Sequence, residues 1–112
     1  MIAKKALEAV DQAVCYELQN IVKNYSAVYA SNHEAYAVLK EEYEEAAEEL
    51  QNMQKALDNI WNMVKFNFVL DNDILECKKA AFNLALEAVQ CAAVCERFEE
   101  TIKREEKHEG LS

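Results

Sequence analysis

The sequence predicts an all-α fold, with three long antiparallel helices in a single domain. The chain has 112 residues, which is the size of one domain. It contains one Gly and no Pro, so the residues that supply most turns are nearly absent. Apolar residues recur at spacings of three and four through three segments, as on one face of a helix. These observations exclude a β fold with many turns.

The first predicted helix covers residues 3–29. Its apolar residues stand seven apart and therefore share one face: Leu7, Val14, Ile21 and Val28. Residues 31–34 then have the form of a capping box, in which Ser31 accepts a hydrogen bond from the backbone and Glu34 reaches back. A second helix is therefore predicted to begin at residue 32.

The second predicted helix covers residues 32–66, and its apolar residues keep spacings of three and four along its whole length. Beyond this point the pattern fails. An acidic run at 71–73, with Glu76 three residues further on, is typical of a helix start. Residues 67–72 are therefore the predicted loop, and the third helix covers 74–106.

One stretch of the third helix, residues 80–95, is apolar on every face except at Asn83, Glu87 and Gln90. A helix that is apolar all round is normally buried all round. Because two neighbouring helices cover only part of it, we expect a second copy of the chain to cover the rest, as a homodimer or a higher oligomer. The three polar residues form a column inside this expected core, where Glu87 requires a partner.

The charge balance limits the partners of the protein. Twelve Lys and Arg residues against 21 Asp and Glu residues give a net charge of −9. This sign disfavours nucleic acid and anionic membrane surfaces as partners. Charged or amide residues interrupt every apolar stretch before the roughly 20 residues that a membrane span needs, and no signal peptide is recognisable. A cytoplasmic protein is expected.

Carboxylates are the chemistry that the sequence has in excess. Glu42, Glu45 and Glu49 lie at helical spacing beside the apolar seam of the second helix, where they repel one another unless a cation binds. Facing Glu87, the first two would form an oxygen site suited to Mg²⁺. Alternatively, the acidic run is a solvated helix face, and Glu87 pairs with a Lys, an Arg or a Tyr hydroxyl. A parallel row farther round the helix is expected to be solvated: Glu41, Glu44 and Glu48.

Three blocks of sequence carry a family resemblance. They are NHEAYAVLKEEYEEAAEEL at 32–50, IWNMVK at 60–65 and ALEAVQCAAVCERF at 85–98. In their order and spacing they resemble the short, phage-associated branch of the MazG-like all-α nucleoside triphosphate pyrophosphatases. The resemblance covers residues 18–102.

The resemblance implies a site and a reaction. Members of this superfamily carry an ExxE motif on one helix and an ExxD motif on a later one, and the four acids bind Mg²⁺. By this likeness ExxE falls on Glu42 and Glu45, with Glu49 a further candidate, and the Glu of ExxD falls on Glu87. The implied reaction is hydrolysis of a nucleoside triphosphate to a monophosphate and pyrophosphate, with Mg²⁺ or Mn²⁺ as the ion. Glu45 or Glu49 would orient the attacking water.

Two features depart from the family pattern. Gln90 stands where the family has Asp, and a neutral amide is a weaker metal ligand than a carboxylate. The two motifs are separated by the 41 residues 46–86, more than is usual in the family. Asn83, Lys65 and Trp61 are further candidates for contacts to a base or a phosphate, although Trp61 also fits a packing role.

Two classes of function therefore stay open. The retained acids Glu42, Glu45 and Glu87 favour a Mg²⁺-dependent nucleoside triphosphate pyrophosphohydrolase, with a site that Gln90 weakens. Gln90 also favours the alternative, a non-catalytic helical interaction protein of prophage origin in which the fold persists without turnover.

Overall fold

A computed structural model describes residues 3–69 and 71–111 of the chain, with side chains described as far as residue 107. This part of the chain contains three helices and no strand, so the predicted all-α fold is confirmed. The helices are α1 (Lys4–Asn24), α2 (Asn32–Lys65) and α3 (Asp71–Leu111). Within the described residues, none of these helices is long and apolar enough to cross a membrane.

The first helix is shorter than its pattern indicates. The prediction that α1 extends to Tyr29 is wrong, because the helix ends well before this residue. The backbone N–H of Tyr29 donates to the Thr101 hydroxyl at 2.9 Å. The Arg97 guanidinium donates to the carbonyls of Ser26 and Val28, at 3.0 and 3.3 Å. Side chains of α3 therefore pair backbone groups that a continued helix would have paired within itself.

The start of α2 follows the prediction. The backbone N–H of Glu34 donates to the Ser31 hydroxyl at 3.1 Å, which confirms the predicted cap. Such a bond pairs a backbone donor for which the first turn has no partner of its own. The sequence itself thus specifies where the helix that carries the acidic run begins.

The end of α2 is a Schellman motif. Asn67 adopts a left-handed conformation, with φ of 58°. Its N–H donates to the Val64 carbonyl at 3.2 Å, and the N–H of Phe68 donates to the Met63 carbonyl at 2.9 Å. Asn is one of the few residues other than Gly that adopt this conformation readily, so a chain almost without Gly uses it here.

The third helix is longer at both ends than predicted. It begins at Asp71, before the predicted start at residue 74, and it extends past residue 106. Lys, Arg and Glu are strong helix formers, so the charged terminal segment continues the helix. The side chains of Arg104 and Glu100 also pair there, one turn apart, at 3.8 Å. Leu70, which belongs to the predicted loop, and the side chain of Asp71 lie outside the described residues.

The chain divides into two compact units. Unit 1 consists of Met1–Glu42 with Val89–Ser112, and unit 2 consists of Tyr43–Ala88. Unit 1 contains a core cluster that combines three buried residues with three partly buried ones: Tyr29, Ala35 and Val94, with Val38, Leu39 and Phe98. In unit 2 the buried apolar residues of the described chain are both alanines, Ala56 and Ala80.

Large apolar side chains of unit 2 lie at the surface. Those more than half exposed include Leu50, Leu57, Trp61, Phe82 and Leu86. Phe82 and Leu86, at 62% and 63% exposure, belong to the stretch that we expected to be buried on all sides. In the single chain this stretch therefore keeps an open face, which is the situation from which a second copy was predicted. The homodimer stays a prediction.

Candidate metal centre

The acidic residues singled out in the sequence converge in the structure. Glu42 and Glu45 stand one turn apart on α2, and Glu87 lies on α3. One carboxylate oxygen from each of the three lies within 4.8 Å of the others. These three residues are called the acidic group below. Glu42 and Glu87 are half-buried, whereas Glu45 is exposed.

In unit 2, the pKa of Glu87 is raised by its surroundings. Burial raises the pKa of Glu87, and the charge of Glu45 and a hydrogen bond with its carboxyl group raise it further. The charge of Glu49 contributes in the same direction. Glu45 and Glu49 are therefore close enough to Glu87 to oppose the ionisation of its carboxyl group. A bound cation would reverse the sign of this interaction.

The oxygen spacing of the acidic group fits a small divalent cation. Two ligand oxygens on one Mg²⁺ lie roughly 3 Å apart when adjacent and about 4.2 Å apart when opposite. A largest spacing of 4.8 Å therefore needs only small side-chain rotations to bring all three oxygens onto one ion. Carboxylates favour hard ions such as Mg²⁺ and Mn²⁺ over softer metals, because oxygen is their preferred ligand.

The second row of acids on α2 behaves as the sequence predicts. Glu41, Glu44 and Glu48 are all exposed. They carry the same charge as Glu42 and Glu45 and lie on the same helix, but they do not belong to the acidic group. This row supplies matched controls for substitutions in the acidic group.

The two polar neighbours of Glu87 on α3 occupy different places. Asn83 is exposed and lines a cavity of about 480 Å³ in unit 2, together with Glu49. Gln90 is half-buried and lines a cavity of about 460 Å³ in unit 1. Asn83 is therefore not buried in the single chain, and its expected place in a core completed by a second copy stays a prediction. The short side chains of Ala56 and Ala80 do not fill the space in front of Asn83, and a cavity remains.

Trp61 and Lys65 are brought together at the end of α2. The Lys65 ammonium lies 5.7 Å from the centroid of the Trp61 ring and equally far from that of Phe66. Trp61 is 59% exposed, so it does not pack into a core of the single chain. The lining of the unit 2 cavity includes neither Trp61 nor Lys65.

Three polar residues that the sequence analysis did not assign to the site line the same cavity as Asn83, namely Asn52, Lys55 and Asn59 on α2. A signal was present in the sequence. The stripe that contains Glu45 and Glu49 continues through Asn52 and on to Asn59 at spacings of three and four. Polar side chains therefore follow one face of α2 well beyond the acidic run.

Comparison with the models of known protein families, with curated proteins and with solved structures finds no match to this chain. The resemblance to the MazG-like superfamily therefore stays a prediction that rests on the three sequence blocks.

Proposed function

We propose that this protein is a Mg²⁺-dependent nucleoside triphosphate pyrophosphohydrolase, which converts a nucleoside triphosphate to a monophosphate and pyrophosphate. The observation that carries the proposal is the convergence of the Glu42, Glu45 and Glu87 carboxylates from two helices. The raised pKa of Glu87 supports it, because crowded carboxylates with a perturbed pKa are typical of functional sites.

The chemistry of the proposal follows from charge. Glu42, Glu45 and Glu87 would hold Mg²⁺, or Mn²⁺ in its place, and the bound ion would polarise the phosphate oxygens and lower the pKa of a bound water. Without a cation, the three carboxylates would repel a triphosphate. Glu49 lies near enough to Glu87 to affect its ionisation. A carboxylate placed there can accept the proton of an attacking water, so Glu49 or Glu45 is assigned the role of general base.

The active form in this proposal is a homodimer or a higher oligomer. Its support is the open apolar face of α3, where Phe82 and Leu86 are both more than 60% exposed. Contiguous apolar surface of this kind is typical of contacts between protein chains. The substrate is a free nucleotide and not a nucleic acid, since a net charge of −9 repels a polyphosphate chain that brings no bound metal.

The proposal is tested by pyrophosphate release from ribo- and deoxyribonucleoside triphosphates, with Mg²⁺ and with Mn²⁺. Glu45→Gln and Glu87→Gln each remove one carboxylate from the acidic group. Glu48→Gln is the matched control, because it makes the same change on the exposed face of the same helix. We expect turnover that both site variants reduce by at least about a hundredfold and that the control retains. Absence of turnover from folded protein across the whole panel would overturn the proposal.

A specific observation also favours the second candidate, a non-catalytic helical interaction protein of prophage origin. Unit 2 exposes Leu50, Leu57 and Trp61 on α2, in addition to the open face of α3. A surface this apolar suits a partner helix. Under this alternative the acidic group has no catalytic role. Leu57→Asp should then disrupt binding of the partner helix, whereas Glu45→Gln should leave this binding unchanged.

A further inference from the structure

The cavity of unit 2 is a polar trough of about 480 Å³ between α2 and α3. Its most buried lining residues are Ala56 and Ala80, which are 6% and 5% exposed. Since neither alanine extends beyond its Cβ, the space between the two helices stays open above them. Longer polar side chains from both helices form the walls.

The net charge of the described lining residues disfavours a phosphate group as the occupant of the cavity. Lys55 and Lys79 contribute two positive charges, whereas Glu49, Asp73 and Glu76 contribute three negative charges, which gives 2 − 3 = −1. One of the ammonium groups is also close to a carboxylate, since Lys79 and Glu76 lie 4.0 Å apart. A phosphate entering without a metal ion would meet net repulsion.

The composition of the lining also disfavours a nucleobase. Protein sites for unpaired bases stack them on aromatic rings or on the guanidinium plane of Arg. Among the described residues, those that line this cavity include no aromatic side chain, no Arg and no apolar residue larger than Ala. A planar ring would therefore have no face on which to stack.

A group with several hydroxyls fits the remaining chemistry. Each hydroxyl both donates and accepts a hydrogen bond, so it needs acceptors and donors within reach. Carboxylates supply acceptors, ammonium groups supply donors, and amides supply both. Four amides of the described residues line the cavity: Asn52, Asn59, Asn72 and Asn83.

The position of the cavity indicates which hydroxyls these are. Glu49 and Asn83 line the cavity, and each lies one helical turn from a carboxylate proposed to hold the metal, Glu45 on α2 and Glu87 on α3. In a nucleoside triphosphate the sugar is the part attached directly to the phosphates. We infer that the unit 2 cavity binds the sugar of the substrate through Asn52, Asn59 and Asn83 and favours ribonucleotides over deoxyribonucleotides. This inference rests on the proposed function.

A binding measurement tests the inference without requiring turnover. Isothermal titration is carried out with the α,β-methylene analogues of ATP and dATP in the presence of Mg²⁺, and is repeated with the uridine pair so that the result does not depend on the base. The variants are Asn83→Ala and Asn59→Ala, both at exposed positions where Ala favours the helix. Gln54→Ala is the matched control, because it removes an exposed amide of α2 that does not line the cavity.

We expect the ribonucleotide of each pair to bind about tenfold more tightly, the value of one or two hydrogen bonds. Asn83→Ala or Asn59→Ala should weaken binding of the ribonucleotide more than binding of the deoxyribonucleotide, and so remove most of this preference, while Gln54→Ala keeps the preference. Equal affinities in the unsubstituted protein, or an unchanged preference in both variants, would overturn the inference.

The same experiment separates this inference from the proposed function. Pyrophosphate release with equal affinity for the two sugars would leave the proposed function standing and the sugar site refuted. Failure of every analogue to bind would also refute the sugar site, and the pyrophosphate assay then decides the proposed function by itself.

Discussion

Unit 1 and unit 2 use polar side chains in opposite ways. In unit 1, buried polar groups of α3 pair with the backbone that follows α1, and Thr101 and Arg97 are both at most 9% exposed. In unit 2, carboxylates of α2 oppose the ionisation of Glu87 on α3, and the described residues that are buried are two alanines. Buried polar groups of unit 1 thus form hydrogen bonds, whereas in unit 2 groups of like charge lie close together.

The difference indicates where stability and chemistry reside. Paired buried groups raise the free energy of unfolding, whereas crowded like charges lower it unless a ligand is bound. Functional sites commonly carry such a cost, which better packed regions of the same protein offset. Substitutions in unit 1 should therefore change stability, and substitutions in unit 2 should change ion binding and pH dependence.

The largest effect is expected for Arg97→Ala in unit 1. The guanidinium donates to the carbonyls of Ser26 and Val28 and packs 3.9 Å from the centroid of the Tyr29 ring. Its removal leaves partly buried carbonyls without these donors, so we expect a loss of about 3 kcal/mol in the free energy of unfolding. Urea denaturation measures this loss. Arg104→Ala, on the exposed part of α3, should cost less than about 0.5 kcal/mol, and similar losses for the two variants would contradict the role given to unit 1.

Metal binding should give the next largest change in stability, and this change should depend on the acidic group. An ion that binds only the folded protein stabilises it by about 1.4 kcal/mol at ten times its dissociation constant. This corresponds to a rise of several degrees in Tm, which thermal melting with increasing Mg²⁺ or Mn²⁺ would reveal. Glu45→Gln should lose most of the rise, and Glu48→Gln should retain it. An equal rise in both variants would show that the ions act on the general negative charge.

A smaller change in stability is expected from the ionisation of Glu87 as the pH is varied. The pKa of Glu87 is raised above 4.5, its value in the unfolded chain, so the folded protein binds this proton more tightly. Protonation of Glu87 therefore stabilises the folded protein fully below pH 4.5, and this stabilisation is lost as the pH rises through the pKa of Glu87 in the folded state. In the presence of a chelator, Glu87→Gln should therefore raise Tm by a few degrees at pH 7 and leave it unchanged near pH 4. A lower Tm of this variant at pH 7 would show that ionised Glu87 is stabilised by its surroundings.

The smallest effect concerns the Tyr29 hydroxyl of unit 1. This oxygen is buried, and no hydrogen-bond partner for it occurs in the described part of the chain. Tyr29→Phe keeps the ring against which Arg97 packs and removes only the oxygen. We expect the free energy of unfolding to stay the same or to rise by up to about 0.5 kcal/mol. A loss of more than 1 kcal/mol in urea denaturation would indicate a partner for the hydroxyl, such as an internal water.

Much of the fold was predictable because it depends on local signals. The spacing of apolar residues predicts three helices, and the Ser31 cap sets the start of α2. The end of α1 was not predictable, since it depends on Arg97 and Thr101, about 70 residues away in the sequence. No periodicity within a segment reports a hydrogen bond to so distant a residue.

The candidate site was predictable in part for the same reason. Helical spacing together with the family resemblance singled out Glu42, Glu45 and Glu87, whose carboxylates converge in the structure. The amides Asn52 and Asn59 were missed although they continue the stripe of Glu45 and Glu49, because helical spacing does not show that this stripe lines a cavity with a second helix. Ala56 and Ala80 create that cavity, and a small residue in a sequence does not reveal what lies opposite it.

The sequence by itself determined the helices, the cap of α2 and the faces on which the acids lie, because these depend on residues within a few positions of one another. Only the tertiary structure decided where α1 ends, how far Glu87 is buried and which amides line the cavity. Each of these depends on side chains from different helices coming together, and the pattern of one helix holds no information about its neighbour.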